Sequence, residues 1–149
     1  MNGVRYYTDL FGSVERIRGM RRGIEEVVRP GDRVLEIGTG PGTFAFFAVE
    51  AGAAEVVAID RDPIIHVAES AALANGTADR IRFLRGSFPD EVGVEGPFDV
   101  VIFEDLSGLV LDAGRSKLLE AAVRVAGAGV RFVPPRVRCA LAPVSSEEL

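Results

Sequence analysis

The chain has 149 residues, 48% of them hydrophobic, with a formal net charge of −5 and a single cysteine. That length fits one domain with enough apolar content to fill a core, and the acidic balance argues against non-specific nucleic-acid binding as the main activity, though not against a small cationic substrate. No apolar run approaches the ~20 residues of a membrane helix, the N-terminus lacks a signal-peptide core, and a lone Cys139 excludes an internal disulfide, so a soluble cytoplasmic protein is expected.

Apolar residues at Val4, Tyr7, Leu10, Phe11, Val14, Ile17, Met20, Ile24, Val27 and Val28 recur every three or four positions, which predicts one or two amphipathic helices over residues 4 to 28. Pro30-Gly31-Asp32 ends them and introduces a first strand, Arg33 to Ile37. Further strands are expected at Glu55 to Ile59, Ile81 to Leu84, Phe98 to Phe103 and Val130 to Val133. Helices should separate them at Thr43 to Ala51, Pro63 to Asn75 and Asp112 to Val125, where Pro63 suits a first turn and Asn75-Gly76 a helix stop. A last strand is expected at Val137 to Leu141, holding Cys139 as a small buried hydrophobe, before a frayed polar tail. Strand and helix alternate, so the fold class is α/β: a doubly wound, mostly parallel sheet covered on both faces and preceded by N-terminal helices. Residues 1–30 form a helical segment packing on or closing over the site, and residues 31–149 the α/β domain.

The apolar run Val34-Leu35-Glu36-Ile37 enters Gly38-Thr39-Gly40-Pro41-Gly42, and a second, Val56 to Ile59, ends on Asp60. A buried strand that must stop, turn and start a helix within a few residues, against a ligand pressed on bare backbone, needs glycine. The helix that follows points free N–H groups back at the turn, and a carboxylate at the tip of the next strand can accept from both hydroxyls of a ribose. Asp60 stands there, with Arg61 beside it. A dinucleotide fingerprint would place its third glycine at Thr43, and a Walker loop would follow its glycines with a lysine; neither is present. Glu36 through Gly42 with Asp60 downstream resembles the first two motifs of class I S-adenosylmethionine (SAM) methyltransferases. The resemblance implies a Rossmann-like fold and SAM as cofactor, held by Glu36, Gly38, Thr39, Gly40, Gly42, Asp60 and Arg61.

In an open parallel sheet, ligands bind beyond the carboxyl ends of the strands. After the third strand comes Gly86-Ser87-Phe88, where an adenine lies if the cofactor is SAM. Ser87 is then able to hydrogen-bond it and Phe88 to pack on it; the alternative is a turn serine and a core phenylalanine. After the fourth comes Glu104, which can hold a cationic nitrogen and accept its proton, or instead bind the cofactor's ammonium group. The sole histidine, His66, falls within a helix as a surface residue, and one histidine with one cysteine assembles neither a zinc site nor a Cys/His pair. Basic charge is carried by sixteen arginines and only Lys117, which reads as a helix-surface residue rather than a Schiff-base amine.

Beyond the general class, the chain resembles the SAM-binding half of protein arginine methyltransferases. Val34 to Gly42 with Phe47-Ala48 and Ala51-Gly52-Ala53, then Val56 to Asp60, are similar to that family's first two motifs. Asp99 to Glu104 is similar to the strand that delivers the first glutamate of its double-glutamate loop, and Gly129 to Pro135 to the strand and proline turn leading to its barrel. The resemblance implies that the N-terminal helix, with Tyr6 and Tyr7, closes over the cofactor. It also implies that an arginine meets the methionine carboxylate: Arg16, with Arg18 and Arg5 as alternatives. The second glutamate should fall near residues 112 to 114, where the only carboxylate is Asp112, either catalytic or a helix cap. The barrel is missing, as is any Trp. The expected function is SAM-dependent methyl transfer to an unidentified nucleophile. The rivals are a small RNA methylase, using arginines of the first thirty residues with Arg131, Arg136 and Arg138 as a basic face, and a SAM-binding partner subunit without turnover. A sheet edge short of cover, together with the dimers of the arginine methyltransferases, implies a homodimer or partner complex.

Overall fold

A computed structural model describes residues 3–104, 113–138 and 140, so Asp105, Asp112 and Cys139 lie outside the described residues. Two helices, α1 (Gly3–Gly12) and α2 (Val14–Val27), precede β1 (Arg33–Ile37), α3 (Thr43–Glu50), β2 (Glu55–Asp60), α4 (Ile65–Ala74), β3 (Ile81–Arg85), β4 (Val100–Ile102), α5 (Ala113–Ala126) and β5 (Arg131–Val133). The strands form one sheet in the order β3-β2-β1-β4-β5, and every pairing is parallel. The chain winds outward from β1 to β3, then returns to β4 on the other side of β1. That reversal makes the carboxyl ends of β1 and β4 the switch point of a doubly wound sheet.

Apolar runs form the central strands because both sheet faces are covered. Val34, Val56, Ala58, Val100, Ile102 and Val133 face a core closed by Ile24 of α2 and by Phe44, Ala45, Ala48 and Val49 of α3. Leu35, Ile37, Val57, Ile59 and Val101 face the opposite core, closed by Phe88, Phe98 and α5 through Ala121, Ala122 and Ala126. Glycine at position 23 brings α2 close to β5, since a Cβ there would lie 3.5 Å from the Val133 side chain. At the amino ends of the strands, Arg131 donates to Asp32 at 2.7 Å and to the Val27 carbonyl, while the Arg33 amide donates to Asp99 at 2.8 Å. These bonds tie the end of α2, the turn into β1 and the start of β5 together, away from the site.

The predicted elements up to the fifth strand are present, with ends shifted by one or two residues at most places. Phe98 and Phe103 lie outside β4, which is shorter than expected. The last predicted strand is a correction: Val137, Arg138 and Ala140 have no regular structure. Arg136, Val137 and Arg138 are all exposed, so two arginines flanking one valine provide no face to bury against a sheet edge, and Pro134-Pro135 interrupts the run before it. His66 and Lys117 are exposed on α4 and α5 as expected.

Candidate functional site

At the end of β1 the chain turns through Gly38, Gly40 and Gly42, all at positive φ (83°, 55° and 87°), which side chains with a Cβ rarely adopt. The Gly38 and Thr39 amides both donate to the Ile59 carbonyl, at 2.8 and 3.0 Å, binding the turn to the tip of β2. From that tip Asp60 accepts from the Gly40 amide at 2.6 Å and the Asp62 amide at 2.8 Å. The predicted ribose acceptor and the predicted glycine turn are therefore in direct contact. Gly42 caps the start of α3, and a Cβ on it would lie 2.9 Å from the Ala68 Cβ of α4. Around Gly38 nothing stands within 4 Å of a Cβ position, which leaves that side of the turn open.

Glu36 is 1% exposed, an unusual place for a carboxylate. Thr39 Oγ1 donates to Glu36 Oε2 at 2.7 Å, while the buried Oε1 has no partner. Loss of hydration, with Asp60 adding to it, pushes the carboxyl up to about 7 against the opposing Thr39 hydrogen bond and a weaker effect of the Ala45 amide. Thr39 owes its inward placement to this bond.

Arg16 of α2 grips Glu104, just past β4, with two parallel bonds: Nε to Oε1 and Nη2 to Oε2, each 2.6 Å. The fork lies over the Phe44 ring, 5.5 Å from its centroid, and its third nitrogen, Nη1, is buried without a partner. Of the arginines considered from sequence, Arg16 is brought to Glu104, Arg18 pairs with Glu15 on the exposed helix surface, and the Arg5 side chain lies outside what is described. Tyr7 of α1 rests on the glycine turn, its ring 2.7 Å from where a Cβ of Gly40 would stand. Its phenol is pushed up to about 12, chiefly by burial, then by Asp60 and Asp62.

The remaining candidates are less central. Arg61 is exposed. Ser87 gives its amide to Glu91 Oε2 at 2.8 Å, and Phe88, 7% exposed, packs in the second core, so it presents little surface for stacking. Sequence reasoning did not find Glu91 or the Glu36–Thr39 bond. The only signal for the latter was a glutamate within an otherwise apolar strand.

The residues fit SAM on chemical grounds. A buried donor without a partner, Arg16 Nη1, suits a carboxylate, and a buried acceptor without one, Glu36 Oε1, suits an ammonium. Asp60 suits the ribose, and Gly38 leaves backbone bare beside it.

The model of the family described as ribosomal protein L11 methyltransferase (PrmA) matches residues 20–116. The ribosomal protein L11 methyltransferase of Bacillus cereus (strain B4264) is 33% identical over 129 residues, covering 86% of this chain and 39% of that protein. The chain thus spans well under half the length of that relative. Among solved structures, the Trypanosoma brucei PRMT1 enzyme-prozyme heterotetrameric complex with AdoHcy superposes with a TM-score of 0.75 at 21% identity, over 85% of this chain and 41% of that one. A TehB-like SAM-dependent methyltransferase from Corynebacterium glutamicum gives 0.68 at 22% identity, over 87% and 70%. The arginine methyltransferase likeness is one of fold, and by sequence the chain belongs to the PrmA family of SAM-dependent methyltransferases.

Proposed function

We propose that the chain binds SAM at the β1–β4 switch point and supports transfer of its methyl group to a nitrogen nucleophile of a protein substrate. The observation that carries this reading is the pair of buried, unpartnered atoms of opposite character, Arg16 Nη1 and Glu36 Oε1, at the end of the sheet where the glycine turn and Asp60 also lie. Bound SAM supplies an electrophilic methyl on a sulfonium that is already a good leaving group, so the protein has mainly to orient and to shield. Arg16 holds the carboxylate of the cofactor's head, Glu36 its ammonium, Asp60 the ribose, and the amides of the Gly38–Gly42 turn line its path. Tyr7 and α1 close the site over Gly40.

Glu104 has two tasks in this reading. It keeps Arg16 in place, and it is the carboxylate presented beside the reacting centre, where it aligns a cationic acceptor or takes its proton. Asp112 serves as the second carboxylate or as a helix cap. The protein acceptor follows the L11 methyltransferase relatives, whose name gives a ribosomal protein as the substrate. We place the chain in the cytoplasm; among the described residues no helix is long and apolar enough to cross a membrane. A homodimer or partner complex agrees with the exposed apolar groups of α1 and with the heterotetramer formed by the T. brucei neighbour.

A nucleic-acid acceptor is less favoured, because three of the arginines that would make a basic face are paired with carboxylates, which leaves Arg136 and Arg138 exposed at the other end of the chain. Arg16 is on Glu104, Arg21 on Glu25 and Glu50, and Arg131 on Asp32. A SAM-binding role without turnover gains support from the closed Arg16–Glu104 fork, which leaves neither carboxylate oxygen unpaired. The deciding experiment is calorimetry with S-adenosylhomocysteine followed by transfer of tritiated methyl from SAM to purified L11. Binding in the micromolar range with label in L11 is expected. Binding without label in any protein of a cell extract would support the non-catalytic reading, and no binding would sink both.

A further inference from the structure

Glu36 sits between Ala58 and Ile102 in the register of the sheet, so its strand neighbours on both sides are apolar. The charged groups near it do not neutralise it. From β2 the group acting on it is Asp60, of the same sign. From the glycine turn it accepts one hydrogen bond, from the Thr39 hydroxyl, and from α3 the Ala45 amide favours the ionised form more weakly; both groups are neutral. Beyond β4 stands Glu104, a further carboxylate, and the cation that α2 brings to this end of the sheet, Arg16, is committed to Glu104 through two bonds. A carboxylate with no counter-ion, buried next to another carboxylate, holds a proton near neutral pH.

We infer that Glu36 carries a proton in the free protein and gives it up to solvent when a cationic ligand head arrives at Oε1, so that cofactor binding and proton release are one linked event. The inference rests on the SAM reading above and adds a property to it. The balance is simple: the neutral carboxyl loses H⁺ to buffer, and the ligand ammonium, already charged, becomes the counter-ion of the carboxylate left behind. Thr39 Oγ1 keeps donating to Oε2 in both states, which leaves Oε1 as the atom whose partner changes. A functional consequence follows directly. Affinity for a ligand with an ammonium head should rise with pH and level off once Glu36 is already ionised in the free protein. Affinity for a ligand without that head should not rise.

The test is titration calorimetry on the intact protein at pH 6.0, 7.0 and 8.0, each in two buffers of different ionisation enthalpy, which counts protons released per ligand bound. S-adenosylhomocysteine carries the ammonium head, and 5′-methylthioadenosine presents the same nucleoside without it. With the free carboxyl near 7, release should approach one proton at pH 6.0, be about half at 7.0 and about a tenth at 8.0 for the first ligand, and be near zero throughout for the second. Glu36→Gln should abolish the release for S-adenosylhomocysteine, with circular dichroism checking the fold. If S-adenosylhomocysteine binds with no buffer dependence at pH 6.0, or if both ligands release the same number of protons, the inference is overturned while the cofactor assignment stands. If neither ligand binds, the cofactor assignment has failed first. Should the Gln variant not fold, the comparison of the two ligands on the parent protein still decides.

Discussion

Asp60 shows how much one carboxylate can organise. Its two oxygens hold the amides of Gly40 and Asp62, so it shapes the turn before any ligand arrives. Replacing it with Ala removes both acceptors and, in the proposed reading, the ribose partner, and S-adenosylhomocysteine affinity should fall by roughly 10²-fold in calorimetry, about two charge-assisted bonds. Unchanged affinity would mean that the ribose is held elsewhere. The Arg16–Glu104 fork makes a sharper prediction, since Arg→Lys keeps the charge but not the paired geometry. Arg16→Lys should weaken S-adenosylhomocysteine about tenfold or more while leaving 5′-methylthioadenosine unchanged, and Glu104→Gln should lower methyl transfer by a factor of about 10². Glu36 is the residue whose environment was least legible in sequence. Its place in the motif marked it for the cofactor, but the missing counter-ion is a fact of three-dimensional neighbours. Because its folded-state carboxyl is raised from 4.5 to about 7, the native state holds this proton more tightly than the unfolded chain does. Stability from this group is therefore greatest below pH 4.5, falls as pH rises through the interval to 7, and then levels off. Glu36→Gln lacks this loss, so in ligand-free urea titrations it should gain on the parent protein by on the order of 2 kcal/mol between pH 5 and pH 8.

Helices and strands were legible because each repeats one physical pattern. Runs such as Val56 to Ile59 need burial on both faces, and the doubly wound sheet supplies it. The misreading at Val137 has the opposite cause: an apolar residue was counted as strand although its arginine neighbours left it nothing to pair with. Junctions between elements were the other gap. That α3 starts tight against α4 rests on Gly42, where the backbone has φ 87° and an added Cβ would meet Ala68 at 2.9 Å and the Phe46 ring at 3.2 Å. Gly42→Ala should cost about 2–4 kcal/mol in chemical denaturation, combining left-handed backbone strain with overpacking. The amino-end tie is a second junction invisible to pattern. Removing the cation in Arg131→Met leaves Asp32, only 8% exposed, without its ion pair. A loss of about 2–4 kcal/mol is expected there with little change in S-adenosylhomocysteine affinity, because the tie lies at the opposite end of the strands from the site.

At the scale of the molecule, α1 is held differently from the rest. Its aromatic side chains form a chain of contacts, Tyr6 edge-on to Tyr7 with centroids 5.1 Å apart and Tyr7 beside Phe11 at 6.5 Å. Tyr7 alone of the three is directed onto the glycine turn, while Tyr6 is 60% and Phe11 38% exposed, and Val14 at the start of α2 is 50% exposed. Apolar groups grouped on one surface in this way favour association, and the three-residue edge strand β5 gives a partner a further place to meet the sheet. Association that covers Tyr6 and Phe11 would also hold Tyr7 over Gly40, so oligomerisation and cofactor affinity should be coupled by mass action. Light scattering is expected to show a dimer at micromolar concentration that tightens with S-adenosylhomocysteine. Phe11→Glu should shift the protein toward monomer and weaken the ligand together. A monodisperse monomer at ~100 μM, binding the ligand as tightly at high as at low protein concentration, would remove the coupling and leave α1 held by its own contact with the turn.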